Sequence, residues 1–174
     1  MFYRYLNNWK EERVLKNHSF NFYMSMIDNT PLTRRLEAIA GNSFNVKVKE
    51  QRSDHHRNIK PFYTSSIIRG FMIYRSVDLS INHSKYIQAE SFMSIKHVNG
   101  RESFMKILKN RSLGSYILKA KRFKKKSVKY KIIRDKVLKN TLYVYKNKKL
   151  EVNEIFPLSY TLQRTNILQA RKNI

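Results

Sequence analysis

Thr141-Leu142-Tyr143-Val144-Tyr145-Lys146-Asn147-Lys148-Lys149-Leu150-Glu151-Val152-Asn153-Glu154-Ile155-Phe156 reads as two strands joined by a short polar turn. Both arms are rich in β-branched and aromatic residues, and Asn147-Lys148-Lys149 supplies the connection of a hairpin. Successive side chains of a strand point to opposite faces, so Leu150, Val152, Glu154 and Phe156 share one face. Glu154 is therefore a carboxylate on an apolar surface. A second misplaced charge stands upstream, in Ser66-Ile67-Ile68-Arg69-Gly70-Phe71-Met72-Ile73-Tyr74, where alternation puts Arg69 beside Ile67, Phe71 and Ile73. Burying a lone charge costs several kcal/mol or more, so such residues are paired or hold a ligand. Arg69 could pair with an internal carboxylate such as Glu90, and a bulge could turn Glu154 to solvent. A site made from one cation and one carboxylate is the sharpest chemical reading of these residues.

Working outward from the hairpin, Phe44 to Lys49 alternates cleanly as a strand, and residues 62–75 read as another. Asp78 to Lys85 reads as a turn region, followed by an antiparallel partner strand over Tyr86 to Met93. Ser127 to Arg134 is a basic, strand-like stretch. The polar segment Gln51 to Lys60 reads as a loop. The clearest helix is Thr30-Pro31-Leu32-Thr33-Arg34-Arg35-Leu36-Glu37-Ala38-Ile39-Ala40-Gly41. Thr30 suits its cap, Pro31 its first position and Gly41 the left-handed residue past its end. Leu32, Leu36 and Ile39 form its apolar stripe. A second helix is expected over Glu102 to Leu108. No repeat or Gly/Pro-rich linker divides the chain, and short connections favour antiparallel pairing. The fold class is α+β, a single antiparallel β-sheet with flanking helices. One domain is expected over 1–174, with its core at about 25–160 and a basic tail at 161–174.

A chain of 174 residues is long enough to bury a real core, and 41% hydrophobic content with 11 Tyr and 10 Phe fits a globular class. The absence of cysteine excludes disulfide scaffolds, thiol catalysis and thiolate zinc sites. No apolar run approaches the ~18 residues of a membrane-spanning helix. The N-terminal stretch lacks a continuous apolar signal core, so the protein is expected to act where it is made.

The net charge of +24 invites a nucleic-acid reading. A composition rich in Lys, Asn, Ile, Tyr and Phe also matches AT-rich codons, as in a low-GC organellar genome, where drift fills tolerant surface sites with lysine. Between Lys119 and Lys149 stand 14 Lys or Arg against the single acid Asp135, with Phe123, Tyr130, Tyr143 and Tyr145 interleaved. That pattern can grip RNA backbone and stack on bases. It fits equally a solvated sheet face whose tyrosines pack inward. His55 and His56 are adjacent, hence on opposite faces of an extended chain, and chelate one metal poorly. There is no P-loop, dinucleotide-binding glycine pattern or Ser-His-Asp signature.

The segment Thr30 to Ala38 followed by the Phe44 to Val48 strand resembles the N-terminal region of chorismate lyases, including plastid-encoded and cyanobacterial relatives. Ile67-Ile68-Arg69 is similar to their strand bearing a substrate-binding arginine, Ser112 to Ile117 to their Leu-Gly segment, and Glu154-Ile155-Phe156-Pro157 to the end of their last core strand. The order is preserved over roughly residues 30–160. Where many relatives carry Trp-Gly-Arg, this chain reads Val137-Leu138-Lys139-Asn140. The resemblance implies a small closed cavity and elimination of pyruvate from chorismate to give 4-hydroxybenzoate, without cofactor or metal. It implies that Arg69 grips the ring carboxylate and that Glu154 contacts the ring hydroxyl, these two carrying catalysis. It also implies that Leu113 and Leu32 line the carboxylate end. A monomeric plastid (chloroplast) lyase is the resulting expectation. The alternatives are a basic RNA- or ribosome-associated organellar protein and a non-catalytic binder of aromatic acids.

Overall fold

The computed structural model describes residues 15, 32–61, 66–82, 84–114 and 122–158. Six strands form one antiparallel sheet: β1 (Phe44–His55), β2 (Phe71–Ile81), β3 (Ser84–Ser94), β4 (Lys124–Ile133), β5 (Lys136–Tyr145) and β6 (Lys148–Pro157). Their spatial order is β1-β2-β3-β6-β5-β4. Each half of the chain thus makes a three-stranded meander, and the two meanders meet where β3 pairs with β6, with Ala89 opposite Glu154 and Met93 opposite Leu150. With the α-helix α1 (Leu32–Ala40) and short 3₁₀ helices among the described residues, this is an α+β protein.

The hairpin that opened the sequence reading forms as expected, β5 and β6 flanking Lys146-Asn147. Leu32 and Leu36 of α1 are buried and Ile39 half-buried, which docks the helix by its apolar stripe. Gly41 follows at φ 50. Thr30 and Pro31, read as its cap and first residue, lie outside the described residues, as do Phe62 to Ser65 and the tail beyond Leu158.

Three stretches differ from the sequence reading. Gln51 to His55 is strand, not loop: β1 crosses a bulge between Val48 and Glu50 and then pairs through His55 with Phe71. Polar residues hold a strand there because backbone pairing does not depend on side-chain polarity. The expected strand over 62–75 begins only at Phe71. Before it, Gly70 adopts φ 81 and Ser66 is tied across the sheet to Glu151, so the chain enters β2 through a bend. At the other end β2 runs on through Asp78 to Ile81, and the turn falls at Asn82. The expected helix at Glu102 is a 3₁₀ helix over Gly100–Lys106. Glu102 anchors it, accepting from Lys148 Nζ and lying 3.6 Å from Arg122.

One sheet face carries two apolar clusters. Val46, Val77, Leu79, Ile87, Tyr130, Val137 and Phe156 pack under α1 at one end. Ile73, Met93 and Leu150 pack with Val98 and Met105 at the other. The opposite face carries a third apolar cluster, Ile59, Ile68, Met72, Tyr74 and Phe92, beside buried polar groups: Glu151 accepts from Ser66 Oγ at 2.5 Å and Asn140 Nδ2 at 2.6 Å, and Tyr74 donates to Glu90 at 2.8 Å. Burial, helped by the Glu90 charge, pushes the Tyr74 phenol well above its ordinary value.

Candidate site: a cavity with a buried arginine

Between the two apolar clusters lies a cavity of about 80 Å³, lined among others by Leu32, Thr33, Arg75, Leu113, Tyr143 and Glu154. One water needs about 10–15 Å³ by the same measure, so this space suits a small molecule. Its walls come from five strands, α1 and the Arg111–Gly114 segment.

The alternation of β2 places Phe71, Ile73, Arg75, Val77, Leu79 and Ile81 on one face. Arg75 is the charge in that apolar row and is only 2% exposed. Its Nη1 donates to Gln51 Oε1 at 2.7 Å and its Nη2 to the Arg111 carbonyl at 3.0 Å. Gln51 is held in turn, since its Nε2 donates to the carbonyls of Met105 and Lys106. Both partners of the guanidinium are neutral, and among the described residues no carboxylate lies within 4 Å of it. Burial lowers its pKa from the ordinary arginine value, but a guanidinium still carries its charge at neutral pH.

Glu154 sits two strands away on β6, between Ala89 of β3 and Lys139 of β5. At roughly 4.8 Å per strand its backbone is about 10 Å across the sheet from that of Arg75. Lys139 Nζ lies 3.8 Å from Glu154 Oε2. Burial first, then the Glu154 charge, pushes the neighbouring Tyr143 phenol well above its usual value. The cavity therefore has a cationic side at Arg75 and a Glu154–Tyr143 side, with Glu90, Ser91 and aliphatic residues completing its walls.

A close latch closes the α1 side. Ser112 Oγ donates to Thr33 Oγ1 at 2.8 Å, and a Cβ on Gly114 would stand 2.5 Å from that same oxygen. The Leu113 segment thus lies directly against α1.

Of the residues singled out from sequence, Leu32, Leu113 and Glu154 line the cavity together. Arg69 does not. It is exposed on the bend before β2, and its Nη1 donates to the Ser66 carbonyl. The buried arginine of the cavity lining is Arg75, which the sequence reading passed over by ending the strand there. Extending the alternation to Ile81 would have exposed it as a lone charge among apolar residues. His55 and His56 shape a turn instead: His56 Nδ1 accepts from Gly70 N, and Asp54 accepts from Asn58. Among the described residues no group of three His, Asp or Glu could hold a metal.

Comparison with known proteins corrects one expectation. No family model matches the chain, and no curated protein does either. The matching solved structures include a GntR-family transcriptional regulator from Bacillus cereus, at 15% identity over 70% of this chain and 97% of that one, with a TM-score of 0.47. Another is a possible transcriptional regulator, YydK, from Bacillus subtilis, at 12% identity over 72% of this chain and 63% of that one, with a TM-score of 0.43. No chorismate lyase is matched in any of these comparisons, so the assignment to the chorismate lyase family is withdrawn. The arginine on which it relied, Arg69, lies outside the cavity lining.

Proposed function

We propose that the protein binds a small, carboxylate-bearing ring compound in this cavity. The observation that carries the reading is Arg75: a buried guanidinium in the cavity lining, whose hydrogen bonds among the described residues go to two neutral acceptors. A carboxylate meets that planar fork bidentately, and the low local dielectric strengthens the contact. Aliphatic walls suit the two faces of one ring, and the Glu154–Tyr143 side suits a hydroxyl or amine at its far end.

Titration calorimetry with benzoate, 4-hydroxybenzoate and neutral 4-hydroxybenzamide tests this. The acids are expected to bind and the amide to bind at least about 30-fold more weakly. Arg75→Met and Arg75→Lys should both lose the acids by a similar factor, because an ammonium lacks the fork. Glu154→Gln should weaken 4-hydroxybenzoate about tenfold and leave benzoate unchanged. Equal affinity for acid and amide sinks the proposal. Turnover is read separately, by pyruvate release from chorismate against a protein-free control, with Arg75→Met as the second control.

A further inference from the structure

The structure assigns a pH-sensitive latch to the entrance of β2: neutral His56 ties the Ser66–Gly70 bend to the end of β1, and its protonation releases that bend. The latch does not rest on the cavity, which lies on the other face of the sheet. The last rung of the β1–β2 ladder joins His55 to Phe71. One step beyond it, His56 N donates to the Gly70 carbonyl at 2.9 Å, and Gly70 N donates to His56 Nδ1 at 3.0 Å. An imidazole nitrogen thus stands where a partner strand would present its carbonyl. Gly70 turns the chain here at φ 81, a backbone setting that suits glycine.

A nitrogen that accepts a hydrogen bond carries no proton. Protonated His56 would place a hydrogen of its own against the Gly70 N–H, and two donors make no bond. The groups whose charge reaches the ring are His55 of β1, Arg69 of the bend and Arg57 of the turn, and all three oppose a proton there. The His55 ring is nearest, at 4.4 Å between centroids. The adjacent acid, Asp54, accepts from Asn58 Nδ2 and His55 N through one oxygen. Desolvation, then His55, Arg69 and Arg57, lowers the His56 pKa below 6.5. A released, solvated ring takes up its proton at the ordinary value, so the latch holds above about pH 6.5 and is lost as pH falls through the latched value.

The bend covers part of the sheet. Its Ile68 packs with Ile59, Met72, Tyr74 and Phe92. Its far end is tied by Ser66 Oγ and Ile67 N, which both donate to Glu151. Among the described residues its other hydrogen bonds, Ile68 N to Ser66 Oγ and Arg69 Nη1 to the Ser66 carbonyl, run within the bend. Losing His56 therefore leaves it tethered at one end and frees Ile68 to lift from the cluster. The β1–β2 ladder from His55–Phe71 inward keeps its own pairs, so the opening is local.

Amide hydrogen exchange followed by NMR between pH 7.5 and 5.0 tests the latch. Dividing by the unstructured-chain rate at each pH removes the intrinsic pH dependence and leaves a protection factor. That of Gly70 should fall at least about fivefold over this range, and no more steeply than about tenfold per pH unit for one proton. Amides of the central strand β3, such as Ala89, should keep theirs. His56→Asn offers an oxygen in place of Nδ1 and does not titrate, so Gly70 should stay protected throughout. His56→Ala at pH 7.5 should expose Gly70 as fully as the wild type at pH 5.0. The ring-nitrogen shifts of His56 at pH 7.5 should report the tautomer protonated at Nε2. A flat Gly70 profile in the wild type, an equal fall in His56→Asn, a parallel fall at Ala89 or a ring protonated at Nδ1 overturns the proposal.

Discussion

A guanidinium removed from water needs acceptors for its donors, and Arg75 finds two that bring no charge. That arrangement keeps the cation in place and leaves its charge unspent on any described carboxylate. Arg69 carries the same group at far lower cost, because it lies in solvent. The sequence showed both arginines in one phase of a β pattern, and only the point at which the strand begins separates them. That starting point was hidden by Gly70 and by the Ser66–Glu151 contact, neither of which local periodicity registers. Glu154, by contrast, was legible at once, since its hairpin is uninterrupted. A different residue governs response to acid. His97 Nδ1 is buried without a hydrogen-bond partner among the described residues, and desolvation, then Lys96, Lys148 and Lys149, lowers its pKa below 6.5. The unfolded chain therefore binds the extra proton first, and stability contributed by neutral His97 is present above about pH 6.5 and lost as pH falls through the folded value. The melting temperature should drop between pH 7 and 5.5, and His97→Asn should flatten part of that drop. An unchanged pH profile in the variant would show that other groups cause it.

At the scale of elements, the Arg111–Gly114 segment connects two things the cavity needs: a carbonyl for Arg75 and the Leu113 wall. Its placement rests on Gly114 having no side chain against Thr33. Gly114→Ala should push the segment off α1, costing about 1–3 kcal/mol of stability. It should also weaken benzoate binding. In a Thr33→Ala background the offending oxygen is gone, so the cost of Gly114→Ala should fall by more than half in a double-mutant thermal cycle. Additive losses would place the strain elsewhere. None of this contact was readable in sequence, because Thr33 and Gly114 meet only through the fold. The helix itself was readable, since Leu32, Leu36 and Ile39 needed nothing beyond their spacing. The extension of β1 through Gln51 to His55 was missed for the converse reason. Its side chains are polar, and its strand character comes from pairing with Phe71 to Arg75.

At the scale of the whole molecule, +24 charges on 174 residues repel one another in the compact state more than in the expanded one. Added salt should therefore raise the melting temperature, by several degrees between 20 and 300 mM NaCl. A melting temperature that falls with salt would show that the specific ion pairs, such as Glu102–Lys148, outweigh the general repulsion. The β3–β6 pairing has its own consequence. Each meander closes short loops and gains its contacts early, whereas the central seam joins residues some 65 positions apart, at a higher entropic cost. Arg75 belongs to the first meander and Glu154 to the second. A guest that touches both therefore works as a rivet across the last joint to form, and its departure is the moment at which the two halves regain the freedom to part.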